Sequence, residues 1–557
     1  MVATMYVDTS TVHAKSGKSY TRYLLRESFR ENGKVRHRTI ANLSACSEEE
    51  ILAIKLALKH KKDLGKLVDL DDAFTLKQGP SVGAVSVLLS VAKELGIPKA
   101  LGHTRQGKLA LWQVFARIID QGSRLSAVRL ASWHAACDLL RFESFNEDDL
   151  YNNLEWLNEN QSKIEDRLYG STREEVSPGL FLYDVTSSYL EGVCNELGAF
   201  GYNRDGKRGK RQVVIGLLCD HRGRPVSIEV FPGNTSDTKT FADQVRKVAE
   251  RFGGGEVTFV GDRGMIKGPQ IETLSNEDGF HYISALTKPQ IEKLLASGTI
   301  QLGLFDETLA EVLPDDGERL ILRRNPIRGA EIAESRTDKR HSLEAAIATY
   351  NRYLEEHPRA RVEVGLRHMR LKAETLRIDE WIHVEAQGRE LVATVDTAAL
   401  AEISKLDGCY ILRTDLTPEQ ASKETIHARY KDLAMVEHAF RTSKTAHLEM
   451  RPIFLRKESR TRGYALVVML AYRIVQELAA RWISFNCTVD EAIGQLASLC
   501  AVSVSIQGKP MYHRVPEPSE DLQALIDAAR VTIPSCFTNS GITVSTRKKL
   551  AHDRVTR

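Results

Sequence analysis

The chain has 557 residues, 42% of them hydrophobic and 27% charged, and a formal net charge of only +3. That length is too great for a single hydrophobic core and points to roughly three or four domains of ordinary globular composition. No run of eighteen apolar residues occurs, and the most apolar stretch, residues 464–478, is interrupted by Arg473 and Gln476, which argues against a membrane span.

The first residues, Met1-Val2-Ala3-Thr4-Met5, lack a charged segment followed by an apolar one, so no secretory signal is expected. The eight cysteines are scattered without metal-ligand spacing, and a reducing cytoplasm is the natural compartment. Charge is distributed unevenly. Eight Lys/Arg fall between His13 and Arg38, and Arg204, Lys207, Arg208, Lys210 and Arg211 crowd around the single acid Asp205. A third cluster spans 441–462. Each cluster alone reads as a solvated surface rather than a binding face, but three in different segments weaken that reading.

In chain order, aromatic and aliphatic runs over 20–30 and 35–40 flank Asn32-Gly33, a strong hairpin signal, and a helix follows over 48–62. Apolar residues at three-to-four spacing predict helices over 82–95, 109–121, 128–140 and 148–169. Beyond Ser177-Pro178-Gly179 the texture changes to strands. The run Leu180-Phe181-Leu182-Tyr183-Asp184-Val185-Thr186-Ser187-Ser188-Tyr189 carries one carboxylate inside an apolar strand. A bare charge there is costly to bury, so Asp184 either caps a turn or meets a positive partner or metal ion. Strands over 213–219 and 226–231 complete an antiparallel meander. A helix over 240–252 leads to a strand over 256–260, which ends at Gly261-Asp262-Arg263-Gly264 and puts a second acid at a strand's C-terminal end. A short helix over 270–274 and a strand over 281–286 follow. Residues 290–405 break the alternation, with strand pieces at 320–323 and 391–395 and a charged helix over 341–357. A strand over 409–413, a helical stretch over 418–444 and a helix over 463–480 follow. After Ala501 the signal is weak, ending in a basic tail.

In the helical stretch, Tyr430, Leu433, Glu437, Arg441 and Lys444 fall within roughly an 80° stripe of one face. Ion pairing on an exposed face is one reading. Convergence with Asp184 and Asp262 is the other, because three carboxylates at one end of a mixed sheet can hold two hard divalent cations for phosphoryl transfer.

This ordered set resembles the DDE transposases of bacterial insertion sequences, and among them the cut-and-paste group with a Tyr-Arg-Glu-Lys signature and a β-rich insertion before the third acid. Tyr430, Glu437 and Lys444 keep the signature spacing, while Leu433 stands where the family often has Arg, and Arg441 could substitute. Asp184 and Asp262 look like the first two acids. They are 78 residues apart, and 175 residues separate Asp262 from Glu437.

The resemblance implies a multidomain α/β chain. Its catalytic core would be RNase H-like, with a mixed sheet and a β-containing insertion, preceded by a small β hairpin region and an all-α domain. The expected boundaries are a basic hairpin plus helix over 1–70 and a helical DNA-end-binding domain over 71–176. The core would span 177–289 and 406–480 around an inserted subdomain over 290–405, and a C-terminal region would cover 481–557. It also implies that Asp184, Asp262 and Glu437 are catalytic and bind two Mg²⁺ or Mn²⁺ ions. DNA contacts are expected from Tyr430, Arg441, Lys444, Lys207, Arg208, Lys210 and Arg211. Trp381, the one tryptophan of the insertion, is a candidate for holding a flipped base, with burial in the subdomain core as the other reading. Thr186, Ser187 and Arg263 are neighbouring candidates, and His281 and His383 read as structural. The implied partners are terminal inverted repeats and target DNA, with a dimer on DNA and no membrane, in a bacterial cytoplasm and at the nucleoid when DNA-bound. A nuclease lacking strand transfer, a catalytically dead DNA-binding regulator derived from a transposase, and a phosphatase or small-molecule hydrolase are the rival readings.

Overall fold

The computed structural model describes all residues except 1–3, 14–18, 63–73, 143, 173–178, 253–256, 264–265, 267–278, 315–317, 445–446, 507–508, 539–543, 545 and 547–557. The helix expected over 270–274 and the basic residues of the expected C-terminal tail lie outside the described residues. The chain divides into two compact units.

The first unit comprises residues 1–80, 500–516 and 534–539. It opens with an antiparallel sheet of β1 (Thr4–His13), β2 (Ser19–Glu31) and β3 (Lys34–Asn42). Asn32 and Gly33 both take positive φ, 50° and 78°, as the tight turn between β2 and β3 requires. The expected hairpin therefore has a third strand. β1 escapes sequence reading because its Thr, Ser and Asp residues leave no apolar stripe. The helix Glu48–His60 starts at a capping box between Ser47 and Glu50 and buries Ile51. β4 (Phe74–Ser81) ends this part of the chain.

The second unit begins with the helices Gly83–Glu94, Ile97–Leu101, Arg105–Ile119, Arg124–Trp133, Ala136–Leu140 and Glu147–Thr172. The single helix expected over 128–140 is two, because His134 adopts an extended backbone between them. The strands that follow are β5 (Leu180–Tyr189), β6 (Gln212–Asp220), β7 (Pro225–Pro232), β8 (Val257–Gly261), β9 (Phe280–Ala285), β10 (Ala310–Val312) and β11 (Arg319–Arg324). β12 (Ile382–Gln387) pairs only with β13 (Glu390–Val395), and β14 (Cys409–Thr414) returns to the main sheet. That sheet has the order β10-β11-β14-β9-β8-β5-β6-β7. β5, β6 and β7 form the expected antiparallel meander, while β8 pairs parallel to both β5 and β9.

Successive strand residues point to opposite faces. Phe181, Tyr183 and Val185 of β5 enter an aromatic core with Phe241, Phe252 and Phe259. Asp184 and Thr186 therefore face the other way, toward the helix Leu433–Lys444. Gly216 of β6 makes room for the buried Tyr183 ring, since a Cβ there would lie 2.3 Å from its hydroxyl oxygen.

The insertion expected over 290–405 is smaller in the structure. β10 and β11 belong to the main sheet, β11 pairing with β14, because Leu320 and Leu322 are buried in a core shared with Ile411. What stands apart is Pro326–Glu356, Val362–Leu376, the β12–β13 hairpin and Thr397–Ser404. It is predominantly helical rather than β-rich. The helical stretch over 418–444 is likewise two helices, Lys423–Lys431 and Leu433–Lys444, that meet at Asp432.

The helix Glu458–Arg481 packs along Glu147–Thr172. The approach is so close that a Cβ on Gly463 would lie 2.0 Å from the Leu154 carbonyl oxygen. It is the one helix among the described residues long and apolar enough to cross a membrane, and 78% of its apolar window is buried. Finally, β15 (Cys500–Ile506), β16 (Lys509–Arg514) and β17 (Cys536–Phe537) return to the first unit and form a sheet ordered β17-β16-β15-β4. The expected separate C-terminal region is thus divided between the two units.

Candidate active site

Three carboxylates from distant parts of the chain line one cavity of about 440 Å³. They are Asp184 from β5, Asp262 from the residue after β8, and Glu437 from the helix Leu433–Lys444. The β5–β8 register runs in parallel to Tyr183 and Gly261, so each acid is the next residue along its strand. Asp184 is half-buried, and its Oδ1 accepts the Val185 N–H at 2.7 Å. Burial, reinforced by the charges of Asp262 and Glu437, pushes its carboxyl up to about 7, against the pull of Val185 and Arg204. Asp262 is exposed and accepts from the Arg263 N–H at 2.7 Å and from the Tyr430 hydroxyl at 3.5 Å. Burial and the neighbouring Asp262 raise the Tyr430 phenol above its ordinary range.

The Glu437 helix is braced from behind. Gly223, in the β6–β7 turn with φ of 70°, abuts Met435 so closely that a Cβ there would lie 2.6 Å from the Met435 Cβ. Val436, Ala439 and Phe440 are buried while Glu437 is exposed. Leu433 is 6% exposed and belongs to the buried side. The expected single stripe from Tyr430 to Lys444 therefore fails at Leu433, where the side chain joins the core. An arginine there would have to bury its charge.

The cations of the cavity are more constrained than the sequence suggests. Lys444 lies 2.6 Å from the Asp205 carboxylate and donates to Thr186 Oγ1 at 2.9 Å. Arg451 pairs with the same carboxylate, and the Tyr189 N–H reaches it at 3.2 Å. The Asp205 side chain is 1% exposed. Burial and the neighbouring Arg451 and Arg204 lower the Lys444 ammonium, while Asp205 opposes them. Arg204 Nη2 donates to both Asp237 carboxylate oxygens at 2.6–2.7 Å, and the Arg204 backbone N–H donates to Ser187 Oγ at 3.0 Å. Asp205, Arg204, Asp237 and Arg451 were not expected at the site. The available signal was Asp205 itself, the lone acid among five cations. Arg441 lines the cavity from the Glu437 helix.

The other expected DNA contacts are dispersed. Lys207, Arg208 and Lys210 are exposed on the loop before β6. Lys207 sits 5.9 Å from the Tyr189 ring centroid and Lys210 pairs with Glu191 at 2.8 Å. Arg211 donates to the Val193 carbonyl at 2.8 Å and covers Phe200. Trp381 is 4% exposed in a core with Leu343, Ile347, Ile378 and Leu391. It offers no open face to a flipped base, which corrects that expectation. His281 pairs with Asp415 at 2.9 Å, and His383 is exposed on β12; neither lines the cavity.

Carboxylate oxygens suit hard divalent cations, and a cation would relieve the mutual repulsion that raises Asp184. The donor set therefore fits such an ion in chemistry. The present side chains do not yet enclose one: among the described residues no three His, Cys, Asp or Glu groups stand close enough to hold a metal.

Residues 178–474 match the family described as the transposase DDE domain, and the chain belongs to that family. Residues 8–71 match the N-terminal domain of the IS1634 family of transposases. The protein is thus a DDE transposase of the bacterial insertion-sequence type, an enzyme acting on DNA in a family that uses divalent metals. The family does not favour the nuclease-only or inactive-regulator readings. No curated protein matches the chain. Among solved structures, a piggyBac transposase synaptic complex with hairpin DNA is similar at 10% identity and a TM-score of 0.35, covering 70% of this chain and 69% of that one.

Proposed function

We propose that this transposase binds the terminal inverted repeats of its element and performs cut-and-paste transposition at the cavity of Asp184, Asp262 and Glu437. The observation that carries this reading is that the three acids line one cavity although 78 and 175 residues separate them. The strand order supports an RNase H-like core, since β7-β6-β5-β8-β9 reads three-two-one-four-five, with the fourth and fifth strands parallel to the first.

Asp184 and Asp262, side by side on parallel strands, would share divalent cations, Mg²⁺ or Mn²⁺, and Glu437 would complete one of two sites. Bound there, the ions would stabilise the attacking and leaving oxygens of an in-line phosphoryl displacement. Lys444 and Arg451, held on Asp205, would present fixed cations to the DNA backbone, and Arg441 and Tyr430 would flank the scissile phosphate. The exposed Lys207, Arg208 and Lys210 would add salt-sensitive backbone contacts, with Arg211 behind them. The N-terminal 176 residues would recognise the element ends, and a dimer would hold two ends together. The place of action would be the bacterial cytoplasm, at the nucleoid when DNA-bound.

Incubating the full chain with duplexes carrying the element's ends and Mg²⁺ tests the reading. Cleavage by the wild type, its loss in Asp184→Asn and Glu437→Gln, and joining of pre-cleaved ends to target DNA are expected. Cleavage undiminished in both variants would overturn it, and cutting without joining would leave a nuclease.

A further inference from the structure

Asp262 lies just past the ladders that could fix it. β8 ends its pairing with β5 at Gly261 and with β9 at Val260, and Asp262 itself is exposed. Asp184, by contrast, sits within the β5–β6 ladder opposite Leu217. The backbone that aims the Asp262 carboxylate is held instead by side chains of the next two strands. Ser284 of β9 and Arg413 of β14 are cross-strand partners, so they project from the same face of the sheet. Ser284 Oγ donates to the Asp262 carbonyl at 3.4 Å, and Arg413 Nη2 donates to the Ile266 carbonyl at 2.6 Å. Asp262 and Ile266 are thereby tied to one pair. The Ile266 side chain is fully buried and closes over Gly261, where a Cβ would lie 3.2 Å from its Cδ1.

Packing alone does not call for an arginine at 413. Its neighbours on that face, Ile411 and Leu320, belong to an apolar core, and Arg413 is 8% exposed. A charge in such a row is costly to bury. Its Nε finds no hydrogen-bond partner among the described residues, and its Nη1 lies 3.6 Å from Glu318, whose Oε1 also accepts from the Tyr282 hydroxyl at 2.9 Å. The bond to Ile266 is thus the closest contact the guanidinium makes among these. Arg413 does not line the acid cavity. We propose that Arg413 is a positioning residue for the second acid. With Ser284 it fixes the backbone beyond β8, so that the Asp262 carboxylate stands where a divalent cation shared with Asp184 needs it, and Glu318 orients the guanidinium from the other side. The proposal rests on the reading of the acid cavity as the metal site.

The test titrates Mn²⁺ into the full chain bound to a pre-cleaved duplex of the element's end and reads the free ion by electron paramagnetic resonance. Cleavage of an intact end is followed in parallel against Mg²⁺ concentration. Arg413→Met keeps much of the side chain's length and removes its donors. It is expected to weaken Mn²⁺ binding about tenfold and to raise the Mg²⁺ concentration for half-maximal cleavage by a like factor, with the rate at saturating Mg²⁺ largely recovered. An arginine that serves folding alone would lower the melting temperature in chelator and leave both midpoints in place, and that result would overturn the proposal. If Arg413→Met does not fold, Ser284→Ala and Glu318→Gln decide. Each is expected to weaken Mn²⁺ binding about threefold, the worth of one modest hydrogen bond, and unchanged midpoints in both would overturn the positioning role alone. A wild type that binds no Mn²⁺, or binding undiminished in Asp184→Asn, would overturn the reading of the acid cavity and the positioning role with it.

Discussion

Lys444, the last residue of the helix that carries Glu437, is held 2.6 Å from Asp205, a carboxylate 1% exposed on the loop before β6. Two segments 239 residues apart in sequence thereby lock the cationic side of the acid cavity. Removing Asp205 leaves the half-buried Lys444 without its carboxylate, whereas removing Lys444 leaves Asp205 still paired with Arg451. Asp205→Asn is expected to cost about 3–5 kcal/mol in urea unfolding, Lys444→Met less because Arg451 still neutralises Asp205, and the double variant less than the sum. A double-mutant cycle showing additive losses would mean the pair is not coupled.

Asp184 should be a stability liability when no cation is bound. Its carboxyl stands at about 7 rather than 3.8, so the folded state loses stability as pH rises from about 4 through 7. Asp184→Asn is therefore expected to melt no lower than the wild type at pH 8 in chelator while losing cleavage. Mg²⁺ should raise the melting temperature of the wild type and leave that of the variant unmoved. Equal shifts in both proteins would place the ion elsewhere.

Gly223 props the Glu437 helix through Met435. Gly223→Ala adds a Cβ at positive φ against that side chain, with an expected cost of about 1–3 kcal/mol and a fall in cleavage exceeding any fall in DNA binding. Met435→Ala in the same chain should recover little of the cleavage, because alanine keeps the Cβ that lies nearest the added atom.

Trp381 is core, not platform. Trp381→Ala should destabilise by about 3–5 kcal/mol through the cavity it leaves, whereas Trp381→Phe should fold and cleave DNA at close to the wild-type rate. A Trp381→Phe protein that folds normally but no longer cleaves would restore a direct role on DNA.

His134 gives a separate pH signature. It is 8% exposed, and burial lowers its imidazole from 6.5 to about 4. The fold keeps it neutral, so its contribution is complete above pH 6.5 and is lost as pH falls toward 4, by up to about 3 kcal/mol. His134→Gln should flatten the stability profile across that window.

The acid cavity was legible in the sequence because each of its three carboxylates stands at a contrast: Asp184 within an apolar strand, Asp262 between glycines, Glu437 in a polar stripe. The meander was legible for a similar reason, since its strands are nearly continuous apolar runs. What escaped depends on pairing between distant segments. β4 and β15 to β17 make sense only together, and neither end of the chain carries an apolar stripe on its own. Asp205 was hidden by its neighbours, whose charge suggested an open basic loop; only the fold brings Lys444 and Arg451 to it. Leu433, which stands where the Tyr-Arg-Glu-Lys pattern often has Arg, is buried, and helical periodicity alone carried it to the wrong side by ignoring the break at Asp432.

β11 and β14 are neighbours whose paired register ends at Arg324 and Cys409, and the Asn325 N–H closes the junction on the Gly408 carbonyl at 2.8 Å. Everything between them therefore hangs from a narrow neck whose two sides already touch. Such a cassette can lengthen, shrink or be exchanged without moving a strand that carries an acid. A short turn joining Asn325 to Gly408 would excise it while leaving the main sheet its full set of ladders.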